Sequence, residues 1–351
     1  MLDKLPIPII QAPMVGASSF EMALAVSKAG GLGSFGAGAM APAAIEAEVG
    51  RFRDASDRPF GVNLFVLEPA KPAAEEVEAA IERLRPWYEG LGMVPPAPPN
   101  DFAPDFQAQF AALLRAAPPL ASFTFERIRA EQVEALRAAG TYVVGTATTV
   151  AEAKAWAEIG ADAISAQGAE AGGHRGSFLE STEASLIGTF ALVSTIRQAV
   201  DLPVIAAGGI MDGRGVAAAL ALGAVAAQMG TAFLLSDQTG ISATWRGALV
   251  GAGDDPTRLT RALTGRYARG IENRYMTTMR PVEGEVPAYP VQNRLTQPLR
   301  AAAAKAGDPD MLSLWAGQAV KLARPGDAGE LVQLWWAEAR AVARDLADRL
   351  A

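Results

Sequence analysis

VIAAGGIMDGRGVAAALALGAVAAQMGT, residues 204–231, is the stretch on which the fold turns. A short apolar run at 204–207 ends on Gly208-Gly209. A helix-compatible segment follows at 214–222, and a second apolar run fills 224–229. Each run has the length of a buried strand, and each empties into a glycine-containing loop. A helix between two strands returns the chain to the same end of a sheet, so the unit is parallel.

The same beat runs back towards the start of the chain. Strands are predicted at 7–14, 32–35, 60–66, 120–125, 142–146 and 163–166. Helices are predicted from a Ser18 or Ser19 cap to about 28, then at 42–53, 130–139, 150–159 and 185–199. Between the third and fourth strands lies an insertion at about 68–118. It holds helices at 73–87 and 106–116 and a proline-rich loop at 92–104. Eight strands with helices between them predict an α/β fold, a closed (β/α)8 barrel of the triosephosphate-isomerase type. A doubly wound open sheet is the alternative. The barrel is preferred because the strands stop at eight and the last two end in loops suited to phosphate.

Beyond Ser236 the strand signals cease. Residues 240–269 read as mostly helical, 275–295 as irregular and proline-containing, and 311–322 and 328–350 as helices. The expected organisation is a barrel over 1–238 and a smaller, mostly helical second domain over 239–310 on the substrate side. Helices over 311–351 would then pack back on the barrel. The apolar segment 331–336 could serve an interface, so a monomer or a homodimer is expected.

Half of the 351 residues are apolar and 20% are charged, which allows a sizeable core. The net charge of −7 argues against a nucleic-acid binder or a binder of anionic membranes. There is no cysteine, so disulfides, thiolate metal sites and a cysteine nucleophile are excluded. No basic-then-apolar leader opens the chain and no apolar run reaches about 18 residues. A cytoplasmic protein is expected.

In such a barrel the chemistry lies at the carboxyl ends of the strands. These ends supply amides, hydroxyls and exposed backbone N–H groups, with few carboxylates and no lysine. They also supply one imidazole: DAISAQGAEAGGHRGSF, residues 162–178, leaves a strand and opens into a glycine-rich loop carrying His174, the only histidine of the chain. A lone histidine is more often a surface or core residue, but its place in a strand-end loop makes it the candidate catalytic group. The lysines (Lys4, Lys28, Lys71, Lys154, Lys305, Lys321) fall at a terminus, on helices or in a loop, which disfavours Schiff-base chemistry. One histidine without cysteine disfavours zinc, and no metal site is expected. No G-x-S-x-G turn and no close carboxylate pair are evident. A chain so poor in reactive groups points to a cofactor that carries the reaction. VIAAGGI (204–210) and AQMGT (227–231) could bind its phosphate through backbone N–H groups. GLGSFG (31–36) matches a dinucleotide fingerprint, but its glycines flank a strand instead of opening a helix. Tyr289, in an irregular segment, is a candidate to line a substrate pocket.

The chain resembles the nitronate monooxygenase family, FMN-dependent barrels with a small helical domain over the site. The resemblance spans nearly the whole chain. It is carried by IIQAPM (9–14), GVNLF (61–65), SAQGAEAGGHRGSF (165–178), VIAAGGI and AQMGTAFL (227–234). TGRYARGIENRYM (264–276), AYPVQN (288–293) and SLWAGQ (313–318) add to it. The resemblance implies FMN held by Ala12, Pro13, Met14, Asn63, Gln167, Gly172, Gly173, Gly208 and Gly209. Gln228, Met229, Gly230 and Thr231 would complete the phosphate site. It also matches His174 to the family's active-site histidine. Members oxidise alkyl nitronates, and some also nitroalkanes, with O2, to a carbonyl compound and nitrite; propionate 3-nitronate is one candidate substrate. An imidazole there could take a proton from the carbon beside a nitro group or hydrogen-bond the nitronate oxygens. SFTFE (122–126) departs from the pattern: members more often carry His and Gly at the Thr124 and Glu126 positions. Two other readings remain: an NAD(P)H-dependent quinone or enoyl-thioester reductase on the same flavin barrel, and a non-redox barrel that binds a phosphorylated ligand.

Overall fold

The computed structural model describes all residues, Met1–Ala351. Along the barrel the elements run β1 (Ile9–Gln11), α1 (Phe20–Lys28), β2 (Gly33–Gly36), α2 (Pro42–Ala55) and β3 (Phe60–Phe65). The insertion supplies α3 (Ala74–Gly90) and α4 (Phe106–Ala116). The beat resumes with β4 (Leu120–Thr124), α5 (Ala130–Ala138), β5 (Tyr142–Ala147), α6 (Val150–Glu158) and β6 (Ala163–Gln167). A two-residue strand, β7 (Gly173–His174), interrupts it before α7 (Thr189–Ala199), β8 (Val204–Ala207), α8 (Gly213–Ala221) and β9 (Ala226–Met229).

All of these strands except β7 belong to one parallel sheet in the order β1-β9-β8-β6-β5-β4-β3-β2. The two edges meet. Gln11 N donates to Leu32 O at 2.9 Å and Leu32 N to Ile9 O at 3.0 Å, just before β2, so the sheet closes. The expected eight-stranded barrel is what forms. Three of its helices start where short polar side chains satisfy the free N–H groups. Ser19 accepts from Met22 N, Thr149 from Glu152 N, and Asp212 from Arg214 N and Gly215 N.

The main core lies between the sheet and its outer helices, with Phe52, Phe60, Phe123, Trp156 and Ile164 fully enclosed. A small cluster around Leu2, Ile10, Leu120, Val144 and Ile205 plugs the barrel at its amino-terminal end. The carboxyl-terminal end stays open. That difference positions the site.

The chain after the barrel departs from expectation. Residues 240–269 hold one short helix, α9 (Ala243–Val250), then β10 (Thr257–Thr260) and β11 (Ala268–Ile271). β10 and β11 are antiparallel, and β11 also pairs with β7, placing Ala268 opposite His174. No apolar run announces these strands, because they are short and their Thr and Arg residues suit either state. The segment 275–295 is also more regular than expected. It holds α10 (Arg274–Met279), a 3-10 turn at Arg280–Glu285, and the start of α11 (Val291–Ala306). Pro298 lies inside α11, which disguises the helix in the sequence. Residues 311–322 are not a helix: single 3-10 turns at Pro309–Met311 and Val320–Leu322 flank an extended piece that bridges Gly270 at Trp315. α12 (Ala328–Leu350) packs on α1 and α8, and its Trp335 meets Phe233, just after β9, edge-on at 5.0 Å.

A second core unites these parts: Leu263, Tyr275, Met276, Leu295, Leu299 and Leu314. α3 of the insertion joins it through Val77, Ile81, Leu84 and Tyr88, whose hydroxyl donates to Leu295 O at 2.6 Å. The two cores face each other across the open end of the barrel.

Candidate active site

The cavity between the cores is lined by the strand ends and by the extra-barrel segments. Of the residues singled out in the sequence, Ala12, Pro13, Met14, Asn63, Gln167, Gly172, Gly173, His174, Gly208, Gly209, Gln228, Gly230, Thr231 and Tyr289 all line it. Met229 does not. Its side chain is 1% exposed in the barrel core, because successive strand residues face opposite sides. Its carbonyl accepts from Ala12 N at 2.9 Å and so ties two cavity segments together.

One end of the cavity is a backbone cradle. Gly208 and Gly209 have φ of 118° and 71°, which L side chains rarely adopt. Gly172 is packed so closely that a Cβ there would lie 2.5 Å from the Ala316 carbonyl carbon. The Thr231 hydroxyl accepts from Gly317 N at 2.9 Å, which brings the 313–318 segment against the β9 loop. The Glu170 carboxylate, beside this loop, accepts from Thr189 N and Thr189 Oγ1 at the start of α7. Its charge thus complements a helix N-terminus. No lysine or arginine lines this end.

The middle is polar and uncharged. Asn63 Nδ2 donates to Ser122 O, Ser122 Oγ and Thr124 Oγ1 at 3.1, 3.0 and 3.2 Å. Ser165 Oγ lines the cavity buried and without a hydrogen-bond partner. Gln167 holds the histidine loop: its Nε2 donates to His174 O and its Oε1 accepts from Gly176 N, both at 2.9 Å. Thr124 is in the lining, whereas Glu126 is exposed outside it.

The far end is aromatic. The His174 ring centroid is 5.5 Å from those of Phe125 and Trp315, 5.6 Å from Tyr289 and 6.2 Å from Phe65. Phe125 reaches this wall from a left-handed backbone with φ of 87°. His174 Nε2 lies 2.9 Å from Thr264 Oγ1, which donates in turn to Arg266 O at 3.1 Å. A hydroxyl has one proton. With that proton on the Arg266 carbonyl, Nε2–H donates to Thr264 and Nδ1 is left an acceptor. Burial lowers the His174 pKa to about 3, helped by the positive charges of Arg266 and Arg300. The imidazole is therefore neutral at ordinary pH. Burial also pushes the Tyr289 phenol up to about 12 and keeps it protonated.

The sequence reading missed Thr264, Asn293, Arg300 and Trp315 in the lining. Thr264, Asn293 and Trp315 lay inside resembling segments but carried no signal of their own. Asn293 and Arg300 are two helical turns apart on α11, a spacing visible only once that helix is recognised.

Comparison with known proteins gives a consistent result. The family model described as nitronate monooxygenase matches residues 1–337. A probable nitronate monooxygenase of Staphylococcus aureus (strain Newman) is 40% identical over 326 residues, covering 93% of this chain and 92% of the relative. A solved nitroalkane oxidase from Streptomyces ansochromogenes is similar in structure, with a TM-score of 0.89 and 43% identity. It covers 97% of this chain and 99% of that one. FabK from Thermotoga maritima is also similar, with a TM-score of 0.78, 28% identity and coverage of 99% and 98%.

Proposed function

The chain belongs to the nitronate monooxygenase family, and on that premise we propose that it is an FMN-dependent enzyme oxidising alkyl nitronates with O2 to a carbonyl compound and nitrite. The observation that carries the reading is the composition of the cavity. It joins a backbone cradle for an anion to an enclosed aromatic end holding the chain's one imidazole.

The residues present fit FMN. A phosphate would take the Gly208-Gly209 and Gly230-Thr231 loops, whose N–H groups suit an anion without cationic side chains. Gly172 and Gly173 let the main chain come close. The polar middle, from Ala12, Pro13 and Met14 through Asn63 and Gln167, suits a ring rich in donors and acceptors, with Gln228 beside it. Bound there, FMN would supply the redox chemistry, taking electrons from the substrate and yielding them to O2.

The chain's own groups place the substrate. Phe65, Tyr289 and Trp315 exclude water and pack on the alkyl part, with Phe125 stacked behind Phe65. His174, neutral and fixed through Thr264, is an acceptor beside the reacting carbon. A conjugate-acid pKa near 3 makes it a weak base, so the reading favours preformed nitronates over neutral nitroalkanes. A cytoplasmic enzyme, monomeric or homodimeric, fits this reading; no helix is long and apolar enough to cross a membrane.

The test is aerobic turnover. Ethyl nitronate should consume O2 and release nitrite, and the cofactor released on denaturation should be FMN by mass. Turnover of NADH or NADPH with a quinone, and none with nitronate, would replace this reading with the reductase.

A further inference from the structure

Arg300 is the one charged side chain in the cavity lining. It projects from α11 and its exposure is intermediate, while protein atoms enclose its head. Burial lowers its pKa to about 10, so it remains a cation at neutral pH. No carboxylate answers that charge. Nη2 donates to Asn293 O at 2.9 Å and to Asn293 Oδ1 at 2.7 Å, and Nη1 donates to Ser313 Oγ at 3.2 Å. Nε has no partner. The ionisable groups that act on it are Tyr289 and Tyr275, both phenols held protonated by burial. Buried charges are ordinarily paired, because an unpaired one costs several kcal/mol. Arg175 and Arg269 are buried cations and Arg266 a half-buried one, but their heads donate to backbone carbonyls and lie outside the lining. Arg300 is thus the unpaired cation that borders the substrate end.

We propose that Arg300 is the specificity-determining residue that selects the anionic nitronate over its neutral nitroalkane acid by pairing with the substrate's negative charge. The inference rests on the proposed function and deepens it. Two features of the site converge. His174 Nε2 is engaged by Thr264, so the imidazole offers the nitronate oxygens no proton from that nitrogen. The charge-bearing donor available in the lining is then the guanidinium, which binds planar oxyanions well. A neutral nitro group gains much less from it. The preference for the anion is a property of α11, not of the barrel.

The experiment compares ethyl nitronate with nitroethane as anaerobic ligands of the holoenzyme. Binding is read by tryptophan fluorescence, since Trp245 and Trp315 line the cavity. Wild type should bind the nitronate at least about tenfold more tightly than nitroethane. Arg300→Met should lose that preference through weaker nitronate binding, with nitroethane within about twofold. Arg300→Lys should recover part of it. In aerobic assays Arg300→Met should raise KM for the nitronate more than it lowers kcat. An unchanged preference in a folded Arg300→Met, or in Arg300→Lys together with Arg300→Gln should the Met variant not fold, overturns the inference. The two readings fail separately. Nitronate turnover indifferent to Arg300 would sink this inference and keep the function. Arg300-dependent anion binding without turnover would support the anion site and sink the function.

Discussion

His174 Nε2 stands 2.9 Å from Thr264 Oγ1, across a junction in which a two-residue strand from the barrel pairs with a strand from the outer core. The imidazole is therefore held by both halves of the molecule. Gln167 fixes its backbone from the barrel side and Thr264 its ring from the other. Its neutrality follows from where this clamp puts it, among aromatic rings and near two arginines.

That neutrality sets a pH profile. With the His174 pKa lowered to about 3, kcat/KM for ethyl nitronate should show no inflection from this residue between about pH 5 and 8. Profiles of wild type and His174→Asn, measured on the preformed nitronate, should run parallel there. A wild-type inflection near 6.5 that the variant lacks would restore a titrating base.

The same shift has a stability consequence. The folded pKa lies below the unfolded one, so the unfolded chain binds more protons between about pH 6.5 and 3. The contribution of neutral His174 is thus fully present above 6.5 and is lost as pH falls through that window. Wild type should lose melting temperature across it faster than His174→Asn. Equal slopes in calorimetry would contradict the burial assigned to the ring.

Thr264→Val removes the ring's hydroxyl partner and leaves a buried N–H unsatisfied, a cost of about 1–3 kcal/mol. Activity on nitronates should fall roughly two- to tenfold if about half of that appears in the barrier. Thr264→Ser should stay near wild type. Equal losses in Val and Ser would show that the methyl group, not the hydroxyl, matters.

The backbone cradle can be tested without turnover. A Cβ at Gly172 would strike the Ala316 and Gly317 backbone at 2.5 Å, whereas one at Gly209 would meet the Glu170 side chain at 3.3 Å. Gly172→Ala should therefore purify with little flavin. Gly209→Ala, with about 1–2 kcal/mol of left-handed strain, should bind FMN roughly tenfold less tightly. Full flavin-to-protein ratios and unchanged FMN affinity in both would place the cofactor elsewhere.

Much of this architecture was legible in the sequence because the barrel repeats a simple pattern. Short apolar runs ending in glycine marked the strand ends, and those ends are where the cavity opens. His174 stood out as a single imidazole in a strand-end loop. The outer core was less legible. Its strands are four residues long and rich in Thr and Arg, and α11 carries a proline. Pro281, Pro287 and Pro290 obscure the start of the helix that bears Arg300, the one cation of the cavity. Strand alternation turns the Met229 side chain into the core, so only its backbone faces the loop that ends at Gly230.

The most direct measurement of the central claim is anaerobic mixing of the purified protein with ethyl nitronate, followed through the flavin absorbance. The oxidised flavin band should decrease with nitronate alone and be unmoved by NADH or NADPH. A band bleached by a nicotinamide and indifferent to nitronate, or a protein without flavin that FMN cannot reconstitute, would contradict it.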